Sequence, residues 1–239
     1  MDGTTDHGPL DALLDRCAAA AGSGDGSAGR EAAALARGEA VRWDAFLRRA
    51  AVAEHWRTGM LSAIPAAAEA LGEGWETDAV SFTDVTIASL RLEGALGRLG
   101  VPERDAARGT TVPVLVPPWE THSLPAQLAA HRIRASGRRA DVLLGLPAAE
   151  AAAHPTVRAA PAILVSATAH SVAARLDAYT QALVRALRAP IPIILGGPGF
   201  TGPDAPVPRL PGRPVVATDP VLALRAIGLY DGSADDDLA

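Results

Sequence analysis

Glu120 and His122 stand one residue apart in the stretch VPPWETHSLPAQLAAHRIRASGRR, residues 116 to 139. That pairing has a definite chemistry. Neutral imidazole is a common ligand for transition metals. A carboxylate bonded to the second ring nitrogen fixes the tautomer and raises the basicity of the first. Two more groups invite the same attention. SATAHS carries Ser166 and Thr168, and GGPGFTG carries Gly196, Gly197, Pro198 and Gly199, whose glycines let a large group approach the backbone. Each also has a plainer reading. A surface histidine is usually only polar, SATAHS would serve as a helix N-cap, and GGPG would serve as a turn. The remaining histidines, His7, His55, His131, His154 and His170, read as solvated or helix-surface residues. Cys17 reads as a small apolar residue of an N-terminal helix, and Asp219 as a helix N-cap.

The elements that must position these residues fall into two grammars. Residues 10 to 105 read as helices throughout, from the alanine-rich LDALLDRCAAAAG and GREAAALARG to SFTDVTIASLRLEGALGRLG. Within EAVRWDAFLRRAAVAEHW, an apolar face is expected at Val41, Ala45, Leu47 and Val52. Pro65 is expected to mark a first turn or a kink. Val85, Leu92, Leu96 and Leu99 form a stripe in the last helix, which ends at Gly100 as a C-cap. The result is a bundle of four or five helices. After Pro102, short apolar runs at 111–117, 140–146, 161–167, 191–197 and 213–219 alternate with helical segments at 123–136, about 147–155, 169–188 and 219–229. Strands of continuous apolar character alternating with helices describe a parallel sheet covered on both faces. The expected fold class is α/β: a helical bundle followed by a doubly wound, five-stranded, Rossmann-like or flavodoxin-like domain. The expected boundaries are 1–29 for an N-terminal helix and flexible segment, 30–105 for the bundle, 110–230 for the sheet domain and 231–239 for an acidic, disordered tail. In such a sheet, ligands bind beyond the carboxyl ends of the strands, at a switch in strand order. Glu120/His122, Ser166/Thr168 and the glycines follow the first, third and fourth strands, so they meet at that edge.

The bulk properties exclude several classes. With a net charge of -5 there is no basic footprint for nucleic acid, which argues against direct DNA binding. No apolar run reaches the ~20 residues that span a bilayer. The N-terminus MDGTTDHGPL has neither a basic nor an apolar leader segment, and the single cysteine suits a reducing compartment. The expected location is the cytoplasm.

These residues resemble a known family, the cobalamin-binding domains with a helical cap on a Rossmann-like domain. The family's signature is D-x-H-x-x-G, then S-x-L or S-x-T, then G-G, each after a strand. The counterparts here are Glu120-Thr121-His122-Ser123-Leu124-Pro125, Ser166-Ala167-Thr168 and Gly196-Gly197. GEGWETDAVSFTDVTIASLRLEGALGRL likewise resembles the cap's helix pair, and the match runs from about residue 30 to 230. Within the family, the Glu-x-His variant and the VSFTDVTIASLRLEGAL wording look most like the AerR/PpaA group, stand-alone cobalamin-binding antirepressors related to haem-sensing SCHIC domains.

The resemblance implies that His122 is the lower axial ligand to cobalt, with Glu120 on its second nitrogen. It places the displaced tail base beside Ser166, Ala167, Thr168 and Gly196 to Gly199, and Thr218 and Asp219 near that tail. Thr121, Ser123 and Leu124 would flank the ligand, and Trp75, Phe82, Val85 and Thr86 would cover the ring's upper face. Three features depart from the pattern. Glu120 replaces an Asp and lengthens the relay by a methylene. Pro125 replaces a Gly, although proline suits a helix's first turn. The Trp-x9-Glu-His motif of adenosylcobalamin-dependent repressors is absent, because Val85 and Thr86 occupy its acidic and imidazole positions. The implied role is a non-enzymatic regulatory sensor, light- or redox-responsive, that binds adenosyl-, methyl- or hydroxocobalamin and signals to a protein partner such as a transcription regulator. Two alternatives stand beside it: the corrinoid shuttle subunit of a methyltransferase system, and a haem or bilin sensor using the same slot. No membrane association is expected, and a homo-oligomer is left open.

Overall fold

The computed structural model describes residues 8–21, 26–100, 108–168, 173–187, 189–197, 200 and 215–229. The chain divides into two compact units, Met1–Gly100 and Val101–Ala239. The expected acidic tail lies outside the described residues.

The first unit contains five described helices: α1 (Gly8–Ala20), α2 (Ser27–Arg37), α3 (Ala40–Ala50), α4 (Glu54–Glu76) and α5 (Phe82–Leu99). Alanine and glycine let these helices approach closely. A Cβ on Gly59 of α4 would lie 2.5 Å from the Ala18 backbone of α1, so only glycine fits this crossing. Leu14, Cys17, Phe46, Met60, Ile64, Leu92 and Leu99 fill the core. Burial pushes the Cys17 thiol up to about 11, in keeping with an inert, small apolar residue. Polar ties fix the helix packing from outside. Arg49 of α3 holds Asp11 of α1 through two bonds of 2.9 and 2.7 Å, and Trp56 Nε1 donates to Asp15 at 2.7 Å.

Two expectations for this unit need correction. Val41 and Val52 are 75% and 70% exposed, and the buried face of α3 is Trp43, Phe46, Leu47 and Ala50. That spacing follows the helical repeat more closely than the valine pattern does, and Val52 lies beyond the end of α3. Pro65 does not mark a first turn, because α4 runs from Glu54 through it to Glu76. The expected stripe of α5 is largely present as Ala88, Leu92, Ala95, Leu96 and Leu99, with Gly100 as C-cap. Ser81 caps its N-terminus: Ser81 Oγ accepts from the Asp84 N–H at 3.1 Å and donates to the Asp84 carboxylate at 2.7 Å.

The second unit is an all-parallel five-stranded sheet with helices on both faces. Its elements are β1 (Arg108–Val116), α6 (Leu124–Ala135), β2 (Arg138–Leu144), α7 (Ala148–Ala153), α8 (Pro155–Arg158), β3 (Ile163–Ser166), α9 (Ala173–Ala186), β4 (Ile193–Gly196), β5 (Val215–Ala217) and α10 (Pro220–Ala226). The strand order is β2-β1-β3-β4-β5. The two-residue period of the strands sorts their apolar runs between the faces. Leu115, Ile163, Val165, Ile193 and Leu195 pack against α7, α8 and α9. Val112, Val114, Val116, Leu164 and Ile194 pack against α6 and α10. The helical segment expected near 147–155 is two helices, because His154 turns its side chain to the Thr156 N–H and Pro155 opens a new first turn.

The strand order carries the functional consequence. From β1 the chain passes outward to β2, then returns to the other side of β1 as β3. The segments leaving β1 and β3 therefore diverge at adjacent strand ends, which opens a crevice at the switch point. Glu120 and His122 follow β1, and Thr168 follows β3.

Candidate functional site

The site begins with a tight turn. After β1, the Glu120 N–H donates to the Pro117 carbonyl at 3.0 Å. Four residues later the chain enters α6, whose first turn holds Pro125 and needs no N–H there. Between turn and helix, Glu120 folds back over its own backbone. Its Oε1 accepts the His122 N–H at 2.8 Å and lies 2.7 Å from His122 Nδ1. Its Oε2 accepts both the N–H and the hydroxyl of Thr168, each at 2.8 Å, across the strand switch. The carboxylate side chain is 3% exposed, while the His122 side chain is 65% exposed.

Those bonds fix the electrostatics. Burial works against charge on Glu120, but hydrogen bonds from the His122 ring, the His122 N–H and both donors of Thr168 outweigh it and hold the carboxyl at about 2. The hydrogen bond that the ring donates to Glu120 raises the His122 pKa, with burial opposing and the carboxylate's charge adding to the rise. An ionised carboxylate can only accept, so the proton of the neutral imidazole belongs on Nδ1. Thr168 Oγ1 lies 3.0 Å from the same nitrogen. Because its own proton is directed to Glu120, it serves Nδ1 as a second acceptor. Nε2 keeps its lone pair, makes no hydrogen bond among the described residues, and sits on the exposed ring.

This geometry selects among chemistries. In a nucleophile triad the hydroxyl sits on one ring nitrogen and the acid on the other. Here Thr168 and Glu120 share Nδ1, so the imidazole is not arranged to activate a hydroxyl. What the arrangement offers is one oriented, basic Nε2. Both Glu120 oxygens are occupied by four donors, and no three His, Cys, Asp or Glu side chains gather as a metal cage among the described residues.

The neighbouring strand ends complete the rim. Ser166 is paired with Gly196 in the sheet register, and the Ala167 N–H donates to the Gly196 carbonyl at 3.1 Å. Gly197 adopts φ 102°, and a Cβ there would lie 2.5 Å from the Ala167 carbonyl oxygen. Its glycine requirement is thus set by the β3 segment itself. Ser166 is 6% exposed, and its hydroxyl has no bonded partner among the described residues. Leu124 is buried, Ser123 half-buried and Thr121 exposed. Pro198 and Gly199 lie outside the described residues.

At the end of β5, Thr218 is exposed. Asp219 caps α10 as expected: Oδ1 accepts from the Val221 and Leu222 N–H groups at 2.8 and 3.0 Å, and Oδ2 from Arg132 of α6 at 2.7 Å. Trp75, Phe82, Val85 and Thr86 belong to the helical unit. Trp75 and Phe82 are 53% and 71% exposed, and the Thr86 hydroxyl donates to the Phe82 carbonyl of its own helix at 2.8 Å.

Two residues escaped the sequence reading. Arg132 pairs with Asp219, a partnership 87 residues apart with no local pattern to reveal it. Trp119 packs edge-on against Tyr179 of α9, with ring centroids 5.4 Å apart, and so anchors the turn before Glu120. Its Nε1 is buried without a hydrogen-bond partner among the described residues. Its position beside Glu120 was the one available signal.

A comparison with protein-family models returned no match. A curated Rhodobacter capsulatus protein, described as an uncharacterized 20.5 kDa protein in the bchF-crtJ intergenic region, is 38% identical over 78 residues. That stretch is 31% of this chain and 41% of that protein, so the match spans less than half of the relative's length. Among solved structures, a cobalamin-binding protein from Desulfitobacterium hafniense DCB-2 is similar with a TM-score of 0.43 at 17% identity, over 92% of this chain and 98% of that one. The methanol:cobalamin methyltransferase complex MtaBC from Methanosarcina barkeri is similar with a TM-score of 0.42 at 14% identity, over 95% of this chain and 84% of that one.

Proposed function

We propose that this protein binds a corrinoid through His122 Nε2 and acts as a regulatory sensor that reports the state of that ligand to a protein partner. The observation that carries the proposal is the single oriented imidazole at the β1/β3 switch, its Nδ1 held by a buried carboxylate. A neutral nitrogen donor suits cobalt or iron, and a macrocycle supplies the ligands that the protein does not. The resemblance of Glu120-x-His122, Ser166-x-Thr168 and Gly196-Gly197 to the corrinoid-binding pattern favours cobalt over haem or a bilin.

A bound corrinoid would supply a metal whose upper ligand exchanges and, for an alkyl ligand, is released by light. The chain's own residues would do the rest. His122 would hold the metal through Nε2. Glu120 keeps the proton on Nδ1. The Ser166 hydroxyl and the Gly196 backbone would line the place for the displaced tail. On the helical unit, Trp75 and Phe82 offer exposed aromatic surface, and Val85 and Thr86 carry no imidazole. The assignment to the AerR/PpaA-type group rests on the Glu-x-His spacing and the α5 wording, supported by the partial identity to the R. capsulatus protein.

The test is to mix the purified protein with hydroxocobalamin, adenosylcobalamin and haem, for wild type and His122→Ala. The proposal expects a shifted visible spectrum with a cobalamin and a markedly weakened complex in the variant. An unchanged spectrum on mixing would overturn it. Methyl transfer from the loaded protein to an added methyltransferase would instead assign it to the shuttle class.

A further inference from the structure

The edge of the sheet remote from His122 has a chemistry of its own. In a parallel α/β unit each helix runs back against its strands, so its last turn lies at the amino ends of the strands. Arg158 closes α8 there, and Arg185 stands in the last turn of α9. Arg139 lies near the start of β2. Its neighbour Ala140 packs on the α6 side, so the alternation of a strand turns Arg139 toward the side of α7, α8 and α9. All three arginines are exposed, and none makes a hydrogen bond or ion pair among the described residues. A cation in the last turn of α9 suits the helix dipole. That reason is slight for α8, which has 4 residues, and absent for Arg139, which belongs to a strand.

Arg158 also lines a cavity of about 270 Å³. Its other walls are aliphatic: Ala152 and Ala153 of α7, Ala186 at the end of α9, and Leu187 and Ile191 on the way to β4. Among the described residues no aromatic or acidic side chain lines it. Asp141, Glu150 and Asp177, the described acids of the neighbouring elements, stand outside the lining, and Gln181 bonds Asp177 at 2.9 Å.

We propose that this amino-edge surface docks an acidic segment of a partner protein. One aliphatic side chain of that segment enters the cavity, and flanking carboxylates pair with Arg158 and Arg185, with Arg139 farther along. A guanidinium takes a carboxylate through two parallel bonds. The cavity and the charges together select this occupant. A free anion would engage a guanidinium and leave the aliphatic walls uncovered, and single-stranded nucleic acid relies on aromatic rings for stacking. The order β2-β1-β3 sets β2 two strands from β3, about 10 Å at the usual spacing, which roughly three residues of extended chain span. From the sensor reading the proposal takes only the existence of a protein partner.

The experiment titrates the full chain, by fluorescence anisotropy, with a labelled acetyl-Asp-Asp-Leu-Ala-Asp-Asp-amide peptide. The comparison probes are the same peptide with serine in place of leucine and a six-nucleotide oligothymidylate. Wild type is expected to bind the leucine peptide saturably, less tightly as salt is added. The double variant Arg158→Glu, Arg185→Glu is expected to bind it at least about tenfold more weakly, because two attractions become repulsions. Ala186→Trp, an exposed change that fills the cavity, is expected to lower leucine-peptide affinity to that of the serine peptide. Hydroxocobalamin binding by both variants is expected to match wild type. Failure of wild type to bind the peptide, equal affinity in the charge-reversed variant, equal affinity for the two peptides, or tighter binding of the oligothymidylate would overturn the proposal. If wild type binds no cobalamin, the corrinoid reading fails and the peptide titration still decides this surface.

Discussion

At the residue scale, the account turns on the protons around His122. Axial ligation needs an unprotonated Nε2, and the bond to Glu120 raises the His122 pKa above 6.5. Affinity for hydroxocobalamin should therefore fall as pH drops through that raised value, approaching about tenfold per pH unit well below it. Equal affinity across that range, by absorption titration, would argue against ligation by His122. Stability follows a second window. A buried carboxyl displaced from 4.5 to about 2 contributes on the order of 3 kcal/mol, present at neutral pH and lost as pH falls from about 4.5 toward 2. The raised His122 has the opposite sign: its contribution is full below about 6.5 and disappears as pH rises through its folded value. Urea unfolding at stepped pH should show a shallower acid slope for Glu120→Gln than for wild type, and parallel slopes would contradict the clamp. The acid–x–His pair and the ligation chemistry it suggests were legible from residue types alone. Its coupling to Thr168 was not, because sequence spacing does not reveal which of two nearby hydroxyls, Ser166 or Thr168, an extra methylene will reach.

At the element scale, the alternation of apolar runs and helical segments identified all five strands: β3 and β4 are short, buried apolar runs, and the edge strands β2 and β5 keep the apolar stretches 142–144 and 215–217 despite their exposure. The helical half was less legible. An alanine-rich helix has weak contrast between its faces, so the exposed Val41 and Val52 attracted a stripe that belongs to Trp43, Phe46, Leu47 and Ala50. Two predictions belong here. Gly197→Ala combines φ 102° with a Cβ 2.5 Å from the Ala167 carbonyl. It should cost roughly 1–3 kcal/mol in urea unfolding, and an unaltered midpoint would show that the β3–β4 contact is loose. Trp119→Phe should stay within about 1 kcal/mol of wild type, because removing a buried unpaired N–H, itself worth about 1–3 kcal/mol, offsets the lost ring area. A much larger loss would mean that Nε1 has a partner.

At the scale of the whole molecule, the chain joins a helical unit bearing exposed Trp75 and Phe82 to a sheet unit bearing His122. The helical grammar is expected to give way to strands after Pro102, and the chain divides between Gly100 and Val101. If the helical unit contributes to the ligand, Trp75→Ala should weaken adenosylcobalamin binding while leaving the His122 tautomer unchanged. Unaltered affinity would restrict the site to the sheet unit. The most direct test of the central claim is electron paramagnetic resonance of the protein loaded with cobalamin and reduced to cobalt(II), prepared with nitrogen-15 histidine. Axial ligation by His122 predicts doublet nitrogen splitting, lost in His122→Ala. A triplet, unaffected by the label, would mean that the cobalamin keeps its own tail base on the metal and that His122 is not its ligand.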